Sequence, residues 1–569
     1  MNKRISSAAP WALMVMACVF GLGAAAARAE DFADEIDLSP LRTLAVQHND
    51  TMKTLDTFAR QAIWQMTGHE KLDGHEAVYT LLDMSFHPDE YVNRDIIKIV
   101  NVPLREEFEN LDSIDDQEKQ RIIKQGTVSL AFLERPEVDA LLVKVQASSV
   151  AKSKAINQVM GARATMEEIC QLEWGFIPAA IVPPAESGGD GLWHRPIEMI
   201  GAVPALADIL KQHGTAPQTP PQGYEDKQQI LSSMFGATGG LMRGWDDHDA
   251  SVFNESAQNL ANLMQQMNPA AYPSHAKRAV EVIYNRLTML TIPGAIFYFV
   301  AFVLFLMSAQ AGVPKLHSWA LAFMVIGLIV HSTGIGIRWW LVGGIFPPIK
   351  NEFESVMCSA WFGAVVGLAL ELRKPRGFFG AAASFVGMLS LVAIFAAPYV
   401  TDRQIGGEIG QVQGILMSYW LYIHVTMVTA SYSLIGMGFL LSTWWLVRYY
   451  TGGKAVMAAS PSTAPGRTFM STLDLCNLTV LQLAFWMLGA GIIFGAIWAD
   501  QSWGRPWGWD PKETFALVTW MVYLIAVHVR VVTVNKAWWT ALLGFAGFWI
   551  MLFNWIGVNF LLVGLHSYA

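Results

Sequence analysis

Residues 291–310 read TIPGAIFYFVAFVLFLMSAQ, twenty positions without one charged side chain. A helix of this length covers the ~30 Å hydrocarbon core of a bilayer. Seven more apolar runs of spanning length follow, near 318–337, 355–372, 377–398, 421–447, 477–499, 514–534 and 538–562. The expectation is an all-α, polytopic membrane bundle of about eight spans.

Charge divides the chain at the same place. Its net charge of −8 describes neither half. Residues 1–290 carry a balance of −13, whereas residues 291–569 hold only 23 charged side chains and a balance of +5. That apolar half also holds 17 of the 22 Trp. No basic tract exceeds a few residues, which argues against a nucleic-acid partner. The four cysteines (Cys18, Cys170, Cys358, Cys476) form no C-x-x-C or C-x-x-C-H, so a zinc ribbon, a dithiol centre and a covalently attached c-type haem are unsupported.

Lys3 and Arg4, an apolar run from Trp11 to Ala27 and the sequence Ala27-Arg28-Ala29 make residues 1–29 a secretory signal peptide or an uncleaved anchor helix. Either reading puts residues 30–285 outside the cytoplasm. This part has no spanning run, and 151–169 and 251–267 show helical spacing of apolar positions, so it reads as a mainly helical extracytoplasmic domain. His48, His69, His75 and His87 lie within forty residues, but their spacing fits no ligand template and they read as surface histidines. With that domain outside, the inner connections are 311–317, 373–376, 448–476 and 535–537. They carry eight of the 14 Lys/Arg of residues 291–569, the bias expected of cytoplasmic loops. The 399–420 loop, the 500–513 loop and the C-terminus then share the outer face.

The 500–513 loop contains Trp503-Gly504-Arg505-Pro506-Trp507-Gly508-Trp509-Asp510-Pro511-Lys512-Glu513. Asp510 suits an N-cap, with Pro511 at N1 and Glu513 at N3, and Trp at a membrane boundary is ordinary. Three Trp within seven residues, set off by Gly and Pro, are denser than a belt requires. Their faces suit a large planar apolar ligand.

This stretch, followed by His528-Val529-Arg530, resembles the tryptophan-rich WWD signature of haem-handling proteins, and more specifically the CcsA/ResC family of System II cytochrome c biogenesis. The segment Ser418–Val425 around His424, the segment Gly557–Tyr568 around His566, and the stretch from His331 through Arg338-Trp339-Trp340 to Glu354-Ser355 are similar to further family segments. The resemblance spans roughly 320–569, leaving residues 30–285 without an assigned role.

The resemblance implies haem b as substrate and ligand. His424 and His566 are then axial ligands at an outer site, over a platform of Trp503, Trp507, Trp509 and Asp510. His528, about 22 Å down its helix from the outer boundary, becomes a ligand at an inner loading site. In the family the second inner ligand comes from a CcsB/ResB-like portion. This chain shows no such multi-span segment before residue 291, so a partner subunit is implied, or His331 substitutes; His331 reads better as structural. Arg338, Glu354 and Arg505 are candidates for the propionates. The expected function is transmembrane haem delivery and presentation for thioether attachment to apocytochrome c, as a component of a cytochrome c synthase complex in the bacterial inner membrane. Thiol-reducing proteins are possible further partners. Two alternatives stay open: a System I haem exporter or chaperone, and an unrelated transporter whose Trp loop is only an interfacial belt.

Overall fold

A computed structural model describes residues 32–48, 51–111, 113–148, 150–170, 177–186, 191–204, 206–207, 219–286, 291–311, 313–343, 347–349, 351–400, 418–452, 469–558 and 562. The proposed signal segment 1–29, most of the 399–420 loop and His566 lie outside the described residues.

Residues 32–286 build their own apolar core, running from Ile36 to Tyr272. A short antiparallel hairpin opens it, β1 (Ala45–His48) and β2 (Thr51–Thr54), with Ala45 opposite Thr54 and His48 opposite Thr51. Thr54 then becomes an N-cap: its hydroxyl accepts the Thr57 N–H at 3.3 Å and starts α1 (Leu55–Thr67). Helix α1 stops at Gly68, whose φ of +69° a glycine adopts without strain. Helix α2 (Ala77–Phe86) follows. A two-residue antiparallel pair, β3 (Ile97–Lys98) with β4 (Thr127–Val128), adds a second small ladder. Helix α3 (Val150–Cys170) packs across α1 and α2. Helices α4 (Gln228–Asp246) and α5 (Ala250–Met267) form an antiparallel hairpin, and Asp249 caps α5 by accepting from Ser251 and Val252 N–H at 3.0 and 3.1 Å. The periodicity at 151–169 and 251–267 thus marks two real helices. Three of the four clustered histidines take separate side-chain partners. His48 stands 3.3 Å from Lys53, His75 stacks on Tyr79 at 4.4 Å, and His87 bridges Asp83 and Asp246 at 3.2 Å each.

Helix α6 (His275–Arg286) leads from this part to the bundle. Among the described residues eight apolar helices follow: α7 (Thr291–Ala311), α8 (Pro314–Val342), α9 (Glu352–Arg373), α10 (Phe378–Val400), α11 (Tyr419–Thr451), α12 (Phe469–Trp503), α13 (Pro511–Val532) and α14 (Lys536–Leu552). The protein is an all-α, multi-pass membrane bundle, and its eight spans begin and end within about two turns of the apolar runs. Most are longer than those runs, because a helix continues through the headgroup layer where its ends meet water: α12, at 35 residues, extends about 52 Å. The last span departs from a regular helix, closing with one π-helical turn over Phe553–Gly557.

Two layers of contact organise the bundle. Helix α7 lies against α8 and α10, with α9 bridging α10 and α11; α11 packs along α12 and α14, and α13 along α14. In lipid no hydrophobic gain separates packed from unpacked helices, so close backbone approach decides the contacts. Gly367 illustrates it: a Cβ there would lie 2.2 Å from that of Ala383, so α9 and α10 touch only because one partner lacks a side chain.

Candidate functional site

Helix α12 ends at Trp503, where Gly504 turns the chain with φ +69° and returns its N–H to the Asp500 carbonyl at 2.9 Å. The next helix start is fixed before it begins. Asp510 caps α13 and accepts the Lys512 N–H at 3.1 Å, while Glu513 reaches back to the N–H of Asp510 at 3.2 Å and of Gly508 at 2.8 Å. This is the capping box expected from the sequence. It holds Trp509 at φ +56°, a left-handed conformation that costs a non-glycine residue about 1–3 kcal/mol, and leaves its ring 71 % exposed. A strained, exposed indole is retained against both its backbone and its hydrophobicity, which points to a ligand or partner.

The rings do not make one flat platform. Trp507 and Trp509 meet edge-to-face, with centroids 5.7 Å apart and planes at 87°. Trp503 instead packs on the buried Trp498 at 4.7 Å. The tryptophans therefore form a corner, and the exposed ring is Trp509. Arg505 is exposed and lies over Gly508, where a Cβ would stand 3.0 Å from its guanidinium carbon.

His424 sits in the second turn of α11 against α12. Its Nδ1 donates to the Gly491 carbonyl at 2.8 Å, and a Cβ on Gly495 would come within 2.6 Å of the ring. Gly495 thus leaves room in α12 for the imidazole and the Gly491 carbonyl anchors it, whereas a Cβ on Gly491 would meet Val428. A carbonyl only accepts, so the bond assigns the proton to Nδ1 and the lone pair to Nε2, the tautomer a metal ligand needs. Gly495 lies eight residues before Trp503, about 12 Å down α12, so His424 sits below the loop rather than level with it. Trp420, one turn before His424 on α11, stacks at 6.0 Å on Phe494, the neighbour of Gly495.

His528 lies toward the other end. Its Nδ1 bonds the Leu524 carbonyl of its own helix at 2.8 Å, and the ring is exposed on the bundle surface. Two residues on, and so on the opposite side of α13, Arg530 makes a bidentate pair with Asp474 at 2.7 and 2.8 Å and reaches Thr540 at 3.3 Å. The H-x-R element is an outward imidazole beside an inward guanidinium locked in place. Asp474 and Gly491 are 17 residues apart on α12, which separates the two histidine levels by roughly 20–25 Å.

The remaining candidates fall in the interior between α7, α8 and α9. Arg338 and Glu354 form an ion pair at 2.6 Å, each side chain 1 % exposed, with Phe353 under the guanidinium at 5.0 Å. These two spend their charge on each other. Of the three residues considered for anionic groups, Arg505 alone stands on the loop surface. His331 is buried two turns below Arg338, its Nδ1 3.4 Å from the Tyr298 hydroxyl and its Nε2 without a hydrogen-bond partner.

Sequence reasoning missed Gly491, Gly495 and Asp474. The Gly491-x-x-x-Gly495 spacing is a legible signal of close approach. Asp474, the partner of Arg530, carries no local pattern.

Comparison with known proteins converges on the same half of the chain. Residues 349–566 match the Cytochrome C assembly protein family. Cytochrome c biogenesis protein CcsA of a Synechococcus species is 32 % identical over 269 residues, covering 43 % of this chain and 85 % of that protein. The chain belongs to the CcsA family. CcsA of Guillardia theta is likewise 32 % identical over 263 residues, 43 % of this chain and 83 % of that protein. Protein NrfI of Wolinella succinogenes is 30 % identical over 325 residues, 55 % of this chain but only 34 % of that longer protein. As a CcsA-family member, the chain is a multi-pass membrane protein with a role in cytochrome c biogenesis. The family match runs from Ile349, just before α9, to the C-terminal segment, so it takes in His424, the Trp loop and His528, and omits residues 32–286.

Proposed function

We propose that this chain carries haem b across the membrane and presents it at an outer site for covalent attachment to apocytochrome c, as the membrane component of a cytochrome c synthase. The observation that carries this reading is His424, set against Gly495 and bonded through Nδ1 to the Gly491 carbonyl, with its lone pair on Nε2, below a loop that keeps a strained Trp509 exposed. Neutral imidazole is a standard haem ligand, and an aromatic, dry surrounding keeps bound iron from water. His566 supplies the opposite axial bond, Trp503, Trp507 and Trp509 bound the macrocycle, and Asp510 fixes the loop. Among the candidates for propionate contact, Arg505 has the exposed charge.

The inner site uses His528. An imidazole facing outward from a transmembrane helix is costly against lipid, and α13 is the least buried of the eight spans. A second helix on that face, from a CcsB/ResB-like subunit, satisfies both the exposed surface and the need for a second ligand. At the outer site each thioether forms by adding a cysteine S–H of the apocytochrome across a haem vinyl C=C, sulfur to one carbon and hydrogen to the other. The chain's contribution is proximity and orientation. Reduced thiols are required, so a thiol-reducing protein acts upstream. In this reading residues 30–285, after a signal or anchor segment at 1–29, form an extracytoplasmic domain on the face of the Trp loop, and residues 286–569 form the haem-handling domain. The charge bias of the loops supports that orientation in a bacterial inner membrane.

Purified full-length protein should show a low-spin haem absorption spectrum, and His424→Ala should remove the outer-site component while leaving that of the His528 site. A low-spin spectrum unchanged by His424→Ala overturns the outer-ligand assignment.

A further inference from the structure

We propose that Asp474 is a positioning residue for the inner haem site: through Arg530 it holds the last turn of α13 so that the His528 ring faces outward with Nε2 available to iron. The proposal rests on the reading of His528 as an inner-site ligand and adds the residue that aims it.

Helix α13 carries two stripes. Thr519, Tyr523 and Ala526, spaced four and three residues apart, are its buried side chains. Val518, Met521, Ile525 and His528 keep the complementary spacing of three, four and three, and are exposed. Beyond Ala526 no side chain of the helix is buried. Val527 is partly covered, and Val531 and Val532 are 87 % and 84 % exposed. Apolar burial therefore ends one turn before Arg530, and it does not set the rotation of the turn that carries His528. Lipid tails solvate a valine as well as a neighbouring helix does, so the hydrophobic effect gives that turn no preferred face.

Polar contacts supply the preference. Arg530 continues the buried stripe four residues after Ala526. Its two Nη groups donate to the two carboxylate oxygens of Asp474 on α12 at 2.7 and 2.8 Å. It also donates to the hydroxyl of Thr540 on α14 at 3.3 Å; Thr540 is fully buried and donates in turn to the Lys536 carbonyl at 2.8 Å. One guanidinium thus ties α12, α13 and α14 together. A planar fork seated on a carboxylate allows little rotation. Residues two apart on an α-helix stand about 200° from each other, so an inward Arg530 sends His528 outward. The bond from His528 Nδ1 to the Leu524 carbonyl at 2.8 Å then orients the ring and leaves the lone pair on Nε2.

The test reads both ends of this link on the full-length protein in detergent micelles. In His424→Ala protein the haem that remains belongs to the His528 site. There Asp474→Ala should lower the haem bound per protein about tenfold, the scale of one lost bond between charged groups, and Asp474→Glu should keep most of it. Amide exchange, which needs no haem, should rise about tenfold at 527–532 in Asp474→Ala and keep the wild-type rate at 514–520. Asp474→Leu with Arg530→Leu leaves no guanidinium uncompensated, so it should recover the melting temperature but not the bound haem. Recovery of both would mean that the pair only stabilises the bundle, and overturns the proposal. Unchanged exchange at 527–532 in Asp474→Ala overturns it as well. Raised exchange together with haem binding indifferent to His528→Ala keeps Asp474 as the anchor of the turn and sinks His528 as the ligand.

Discussion

Arg338 and Glu354 exchange a salt bridge from which water is excluded, and the energy of such a pair lies mainly in what happens when half of it is removed. Glu354→Ala leaves a guanidinium stranded among α7, α8 and α9 and should destabilise the protein by about 3–5 kcal/mol; Arg338→Met added to it should recover much of that loss. Thermal unfolding of the two variants in detergent reads the difference, and an equal loss in both would mean the pair is not desolvated. The same chemistry explains the contrast with Arg505. A guanidinium on a loop surface remains available to an incoming anion, whereas one with Glu354 and Phe353 around it does not. Residue type alone did not distinguish them, because Arg, Trp and Glu occur near each other in both stretches.

Among the elements, the turn from α12 to α13 is set almost wholly by local chemistry. Asp510, Pro511 and Glu513 meet the donors of the helix start, and the cost of Trp509 at positive φ is borne by those bonds. Asp510→Ala should cost about 1 kcal/mol and loosen the loop, and Asp510→Asn should largely restore it. Limited proteolysis at 503–510 in the full chain measures this directly; equal cleavage of wild type and Asp510→Ala would show that the loop is held by other contacts. Helix α13 is legible in the same local terms, with its cap in the sequence and its apolar run after it. The seat of His424 is not, since it requires α11 to lie on α12 with the Gly491 carbonyl and Gly495 beside the ring.

At the scale of the whole molecule, a half-buried histidine of the N-terminal core links stability to pH. His48, partly buried beside the Lys53 ammonium, is pushed by burial and then by that charge down to about 4. In the folded protein it is neutral where the unfolded chain's histidine, with an ordinary value near 6.5, already binds a proton. Stability from this group is therefore complete above about pH 6.5 and is lost as pH falls toward 4. Melting of the full chain at pH 7, 5.5 and 4.5 should show the N-terminal part weakening first, and His48→Gln should flatten that trend; a His48→Gln profile parallel to wild type would assign the loss to other groups.

The sequence by itself determined the membrane bundle and its eight spans, two helices of the N-terminal part, the capped turn that carries Trp509 and the family. Each is written in composition or in contacts a few residues long: lipid demands unbroken apolar helices, and a cap closes on its own helix. Only the tertiary structure decided which side chains meet. It put His424 about two turns below the loop, turned His528 outward, closed Arg338 onto Glu354 and set α6 against α8. Those outcomes depend on how helices rotate and slide against one another. In lipid, that is governed by small residues and buried polar pairs far apart in the chain, which no local pattern records.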